Sequence, residues 1–446
     1  MRRYRWGVAD RLLSVEDSRR GETRYSYTPT GQLERAEYPD GREQWRKSDQ
    51  TGNLYPDPDM RLRRYLGGGR LEQDGEWHCE YDADGNLTER YLGTGRWLDG
   101  KKDRWRYRWN ADGSLAKVVR PDKREVEFTY DALGRRLSKS FGTTVTRWVW
   151  NGNVPLHQWK QHREYSVMED RWNTDTEHRD MTVWLFDEDS FVPVAMIKEG
   201  RSYSILTDQL GTPTEAYDTE GNEVWSRVLD MDGNVIEETG NKGMVPFLFQ
   251  GQYYDRETGL AYNRFRYYSP KMGVYVSQDP IGLGGGILNL YGYVDDTNVW
   301  IDSFGLDWNY VLINSKGNVF YSGRASDNAN LSDVARRHAG TKGADGTRFG
   351  NGDTLVQITK PQITSYAAAR GVEQFGIMNS STPLLGYRST NVRGNKIAGI
   401  SSSNRNIEIY MSEGESVING KTLADMIAKG KKMTFEEYQT KKTYKK

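Results

Sequence analysis

Through the upstream half of the chain, apolar and polar positions alternate with period two in short runs that stop at a recurring turn. The turn reads as an aromatic residue, then Asp or Asn, then Gly, then a strand led by Leu or Val. It recurs at Tyr27 to Leu33, Tyr81 to Leu87, Trp109 to Leu115, Tyr130 to Arg136, Tyr217 to Val224 and, with Leu in the aromatic place, Leu229 to Val235. Alternation predicts strands. Asp or Asn starts each turn by bonding its own backbone, and Gly takes the positive-φ position, so every unit is a predicted hairpin. One hairpin cannot bury its own face. The units are therefore expected to stack edge to edge into a large curved sheet, with irregular spacing where strand lengths vary.

The pattern changes after residue 306. A strand, a Lys-Gly turn and a second strand are predicted from Tyr310 to Arg324, followed by a helix around Leu331 to Ala339 and a Gly-rich loop over 340–352. A strand from Thr354 to Thr359, a helix from Ser365 to Met378 and a Lys-rich tail complete it. The predicted fold is mostly β, a repeat shell followed by a small α/β unit. Residues 1–207 hold repeats, 208–306 a distinct core region and 307–446 the C-terminal module.

Composition sharpens this picture. At 446 residues the chain exceeds one ordinary core. Its 28 Tyr and 14 Trp, against an apolar total of 36%, suit pleated sheet. A single cysteine, Cys79, excludes an internal disulfide framework and a Cys-based zinc site. The N-terminus lacks a signal-like apolar core, and no apolar run reaches roughly 18 residues, so no membrane span is expected. The net charge of zero conceals two opposites. Residues 307–446 carry 20 Lys+Arg and 12 Asp+Glu, while the upstream part carries 42 and 50. A basic module on an acidic carrier points to a polyanion as partner of the module.

Between the two lies a seam, Ser277 to Leu306, with two acid-plus-turn motifs: Asp279-Pro280-Ile281-Gly282-Leu283 and Asp302-Ser303-Phe304-Gly305-Leu306. Asp-Pro and Asp-Ser-x-Gly are also ordinary turn signals. If the intervening loop brings the two aspartates together, they cannot both ionise cheaply. One would then hold a proton as acid while the other activates water against a peptide carbonyl. Gly284 to Gly286 would supply tight backbone, and Asn289-Leu290-Tyr291 to Tyr293 an aromatic floor. Asp295 and Asp296 read as solvated turn.

The repeats, with the block from Asp208-Gln209-Leu210-Gly211-Thr212-Pro213 through Phe249-Gln250-Gly251-Gln252-Tyr253-Tyr254-Asp255-Arg256-Glu257-Thr258-Gly259 to Leu306, resemble the Rhs (rearrangement hotspot) family of polymorphic toxins. The resemblance implies a β-cocoon around a C-terminal toxin, and release of that toxin by Asp279 and Asp302 through self-cleavage after Leu306. It also implies a shell much longer than these 306 residues. Ser303 stands where that family usually has Pro.

The C-terminal module resembles the GIY-YIG nuclease family, with Trp308-Asn309-Tyr310 and Tyr321-Ser322-Gly323 in place of the two name-giving motifs. The first Gly is absent, and Arg336 and Arg337 abut His338 directly. The resemblance implies that Tyr310 or Tyr321 helps deprotonate water, Arg336 or Arg337 holds the phosphate, His338 relays protons and Glu373 binds a single Mg²⁺. Arg324, Arg370, Asn395 and Lys396 are the expected substrate-binding residues. His338 is the one histidine after residue 306, which excludes a two-histidine ribonuclease mechanism.

The expected function is an interbacterial toxin made in a bacterial cytoplasm. It would be exported by a type VI or similar system through a spike or adaptor, and would act on nucleic acid, DNA before RNA, in the target cytoplasm. An acidic immunity protein would protect the producer. Two other readings stay open: an ADP-ribosyltransferase using Arg324 and Glu373, and a non-enzymatic adhesin.

Overall fold

The computed structural model describes residues 1–302 except 9–10, 30, 94–100, 189, 280–288 and 295, and after them 307–326, 334–335, 338–339, 342–343, 346–357, 377, 422–429, 431–434 and 436–437. The chain divides into two units. One comprises 1–279 with 287–303 and the other 280–286 with 304–446.

In the first unit, five strands from Arg2–Trp6 to Glu43–Trp45 form an antiparallel sheet in sequence order. From Arg63–Leu66 to Val235–Gly240 a long antiparallel meander curls into a barrel-like wall. The repeats make its turns as expected: Asp82 Oδ1 accepts the Asn86 amide at 2.8 Å, and Gly85 has φ +78°. A Cβ at Gly85 would sit 2.1 Å from the Gln278 side chain, so the position also needs the missing side chain for space.

The aromatics of four repeats have a role that spacing did not reveal. Each donates to the carbonyl of a residue in the preceding strand, Tyr27 to Leu12, Tyr81 to Leu71, Trp109 to Leu87 and Tyr130 to Leu115, and Tyr65 and Trp150 do the same to Leu54 and Arg136. Tyr217 instead donates to Glu215 and Glu223. Leu12, Leu71, Leu87 and Leu115 are all sealed from solvent. In these four repeats the aromatic satisfies the backbone of a buried Leu while its ring adds apolar surface, which explains why an amphipathic aromatic recurs there.

The wall is filled by a small inner sheet, Tyr253–Asp255, Leu260–Asn263, Arg266–Ser269 and Val274–Tyr275. It is buried on both faces. Tyr262 and Tyr267 join the core of the wall with Leu87, Trp148, Trp184 and Trp225, whereas Ala261, Tyr268 and Tyr275 pack with Phe249 and Tyr293. Tyrosines of this inner layer reach out to the turns of the wall, Tyr262 to the Gly134 carbonyl, Tyr291 to Gly85 and Tyr268 to Asp232. An ion pair adds a polar tie: Asp255 binds Arg136 and Lys139. The Arg136 guanidinium lies among the rings of Phe128, Trp148, Tyr253 and Tyr262.

The second unit contains a four-stranded antiparallel sheet in the order Val319–Ser326, Asp307–Ile313, Thr354–Gln357, Lys431–Thr434. Tyr310 and Leu312 face Val334, Ala335 and Phe349, while Val311, Val319 and Val356 face Leu423 and Met426 of the helix Leu423–Lys429. The expected hairpin is present, and its third strand ends at Gln357. Of the two expected helices, the first is helical at 334–335 and 338–339, and the second lies outside the described residues apart from Ile377.

Candidate functional site

The inner sheet delivers Arg266 to the seam. Its strand neighbours are buried on both faces, so the guanidinium is held 3% exposed and aims at the following chain. Nη2 lies 2.9 Å from Asp302 Oδ2, and Nη1 lies 3.6 Å from Asp279 Oδ2. The two aspartates, 23 residues apart in sequence, meet at one cation. The sequence argument for sharing a proton rested on two like charges alone. Arg266 lies against both and offsets their repulsion.

Asp302 is held at its Oδ2, its carbonyl and its amide. The Tyr275 hydroxyl donates to its Oδ2 at 2.8 Å, Asn263 Nδ2 donates to its carbonyl at 2.7 Å, and its amide donates to the Tyr293 hydroxyl at 3.3 Å. The Arg266 guanidinium carbon stands 3.6 Å from the Tyr275 ring centroid. Burial, first, and the Asp302 charge push the Tyr275 phenol well above its ordinary range, as they do for Tyr293, so both stay protonated donors or acceptors. The expected aromatic floor divides: Tyr293 belongs to this group, whereas Tyr291 turns to the Gly85 carbonyl in the wall. Asp296 is not solvated as expected. It is 5% exposed and accepts the Asn298 amide at 2.9 Å.

In the second unit the hairpin register sets Tyr310 opposite Gly323 and Leu312 opposite Tyr321, which puts the two tyrosines on one face. Their rings lie 6.2 Å apart and nearly parallel. His338 closes the group, with Nε2 2.7 Å from the Tyr310 hydroxyl and its ring edge-on to Tyr321. Tyr310 and His338 are each 1% exposed. Tyr321 is half-buried. A fourth member went unnoticed in the sequence: Arg348 places its guanidinium 4.8 Å from the Tyr321 ring centroid and Nη1 3.4 Å from His338 Nδ1. An arginine can only donate. Nδ1 is then the acceptor, Nε2 carries the proton, and the Tyr310 oxygen receives it.

A model of the Teneurin YD-shell matches residues 7–283, more than half of the chain. The chain belongs to the Teneurin YD-shell family. This YD-shell chain is 32% identical over 335 residues to the double-stranded DNA deaminase toxin A of Burkholderia cenocepacia, an alignment covering 70% of the chain and 23% of that protein. It is 29% identical over 247 residues to the probable deoxyribonuclease RhsA of Dickeya dadantii, covering 53% and 16%. To the tRNA nuclease WapA of Bacillus subtilis it is 28% identical over 242 residues, covering 53% and 9%. The YD-shell chain thus spans under a quarter of the length of each of these relatives.

Not every expected residue of the YD-shell chain can be placed. Arg336, Arg337, Arg370, Glu373, Asn395, Lys396, Ser303 and Leu306 lie outside the described residues, and of Arg324 only the strand backbone is described. Among the described residues no group of three His, Cys, Asp or Glu side chains could hold a metal. No described helix is long and apolar enough to cross a membrane. The signals that could have found Arg266 and Arg348 are faint. Arg266 is one of many arginines beside tyrosines, and Arg348 sits in a Gly-rich loop ten positions beyond His338.

Proposed function

We propose that this YD-shell chain is part of an Rhs-type polymorphic toxin whose shell severs itself after Leu306 and frees residues 307–446 to hydrolyse phosphodiester bonds in the nucleic acid of a competing bacterium. The contact of one buried guanidinium with both Asp279 and Asp302 carries the reading. One carboxylate takes a proton from water as the water oxygen attacks the Leu306 carbonyl carbon. The other starts as the protonated acid and gives its proton to the departing Asp307 nitrogen as the carbon–nitrogen bond breaks. A Leu306 carboxyl and an Asp307 amine result. Arg266 keeps the two acids in one site.

For the released module, Tyr321 and Arg348 form the accessible edge, with Tyr310 and His338 behind them. Arg348 has the donors to bind a phosphoryl oxygen in the role expected of Arg336 or Arg337. The basic surplus of residues 307–446 adds salt-dependent affinity for the phosphate backbone. The proposal includes a single Mg²⁺ held by Glu373, which would neutralise charge on the leaving oxygen. The names of the Dickeya and Bacillus relatives, a probable deoxyribonuclease and a tRNA nuclease, agree with a nucleic-acid target. Deamination, named for the Burkholderia relative, lacks its donor set: zinc deaminases use His and Cys ligands, and residues 307–446 contain one histidine and no cysteine.

The proposed setting is export from the producing cell, by a type VI or similar apparatus with a spike or adaptor, action in the target cytoplasm, and an acidic immunity protein on the basic module. Purified residues 307–446, incubated with DNA and with RNA, with Mg²⁺ or with chelator, test the activity. Cleavage that chelator stops is expected. Intact nucleic acid in every arm overturns the nuclease, and label transferred from nicotinamide dinucleotide would favour the ADP-ribosyltransferase.

A further inference from the structure

Asn263 and Tyr275 are both fully buried on the inner sheet, where their backbones pair with Arg266 and Tyr268 and leave the side chains free of the ladder. Their polar atoms point instead at one residue. Asn263 Nδ2 donates to the Tyr275 hydroxyl at 2.6 Å and to the Asp302 carbonyl at 2.7 Å. The amide orientation is dictated by the Asp302 carbonyl, because the flipped amide would set its oxygen against that acceptor. Asn263 Oδ1 has no hydrogen-bond partner among the described residues. A buried amide that leaves its acceptor unmatched in order to present its donor is set for the Asp302 segment.

The same bond aims the phenol. A hydroxyl whose lone pair receives the Asn263 N–H turns its own proton elsewhere, and here the Asp302 Oδ2 lies 2.8 Å away. The ring of Tyr275 carries the Arg266 guanidinium on its face, 3.6 Å from the centroid. Tyr275 therefore orients the acid with its hydroxyl and the cation with its face.

We infer that Tyr275 and Asn263 are positioning residues for the self-cleavage: Tyr275 orients the Asp302 carboxylate, and Asn263 pins the Asp302 carbonyl from which the chain runs to the Leu306–Asp307 bond. The inference rests on the self-cleavage reading above. Among the described residues, charged and titratable groups facing Asp302 include Arg266, Tyr275 and Tyr293, with Asp279 across the guanidinium.

The test uses the whole chain, made in a short cell-free pulse and chased at a series of pH values, with cleavage read by intact mass and folding by protease resistance of the shell. Tyr275→Phe keeps the ring beneath Arg266 and removes one oxygen. It is expected to slow cleavage about tenfold or more and to move the limb of the rate profile that Asp302 governs to higher pH, since a donor to the carboxylate is lost. Asn263→Leu is expected to slow cleavage by about 10²-fold and to move the same limb in the same direction, as it frees both the Asp302 carbonyl and the Tyr275 phenol. A purely structural role would lower protease resistance and leave both profiles alone. Tyr275→Phe cleaving at the wild-type rate with an unmoved limb overturns the inference while self-cleavage stands. A wild-type chain that stays whole overturns both.

Discussion

The Arg136 guanidinium meets the Asp255 carboxylate at 2.5 Å where both side chains are sealed from water. Asp255 also holds Lys139 at 3.0 Å and so ties the wall to the inner sheet through two buried cations. Truncating it takes the carboxylate from Arg136, while Lys139 keeps Glu257 at 2.8 Å. Asp255→Ala is expected to destabilise the shell by about 3–5 kcal/mol, the cost of breaking a buried pair from one side. Denaturant unfolding followed by tryptophan fluorescence checks this.

The repeat aromatics predict a graded loss. Tyr130 donates to the Leu115 carbonyl at 2.7 Å and shares a 2.8 Å bond with the Tyr267 hydroxyl. Tyr130→Phe keeps the ring and leaves the carbonyl short of a donor, for about 1–3 kcal/mol. Tyr130→Ala also opens a cavity and should cost about 3–5 kcal/mol. Equal costs from the two variants would show that the hydroxyl link is idle.

Asp230, on the turn that meets the N-terminal sheet, gives a pH dependence. Burial, and then the neighbouring Asp232 charge, push its carboxyl up from 3.8 to about 6. A carboxyl raised on folding binds more protons in the folded state. Its contribution is full below the unfolded value and is lost as pH rises through the folded one. The neutral Asp230→Asn has no such loss. Relative to wild type it should gain on the order of 1–3 kcal/mol as pH rises from about 4 to 7. Thermal melts of both proteins across that range measure the difference, and a constant gap counts against the assignment.

Self-cleavage makes the strongest demand on the seam. The wild-type chain of 51.3 kDa is expected to yield two fragments whose masses sum to the whole plus one water. Asp279→Asn, Asp302→Asn and Arg266→Met are each expected to remain intact. Mass spectrometry also reads the cut position, and a site away from Leu306 would redirect the mechanism.

In the second unit, Arg348→Ala and His338→Ala are expected to reduce nucleic-acid cleavage by 307–446 by about 10²-fold or more. Arg348→Lys should restore little, since an ammonium lacks the planar fork that donates from two nitrogens to a phosphoryl group while lying over the Tyr321 ring. A plasmid-nicking time course distinguishes these outcomes.

Much of this protein was legible because its information is local. The turns at Asp82 to Gly85 and Asp230 to Gly233 follow from Asp, Gly and flanking alternation, and so does the hairpin carrying Tyr310 and Tyr321. The charge contrast across residue 306 is a count. The pairing of Asp279 with Asp302 was expected from motif resemblance, and the cation between them was not.

What the tertiary structure alone decided are choices among many equivalent residues. The chain has 62 Lys and Arg; only three-dimensional packing singles out Arg266 for the two aspartates, Arg136 for Asp255 and Arg348 for His338. The physical reason is range. A turn is set by the dihedral preferences of neighbouring residues, whereas a buried ion pair is set by which side chains lose their water together, and that depends on how whole sheets pack.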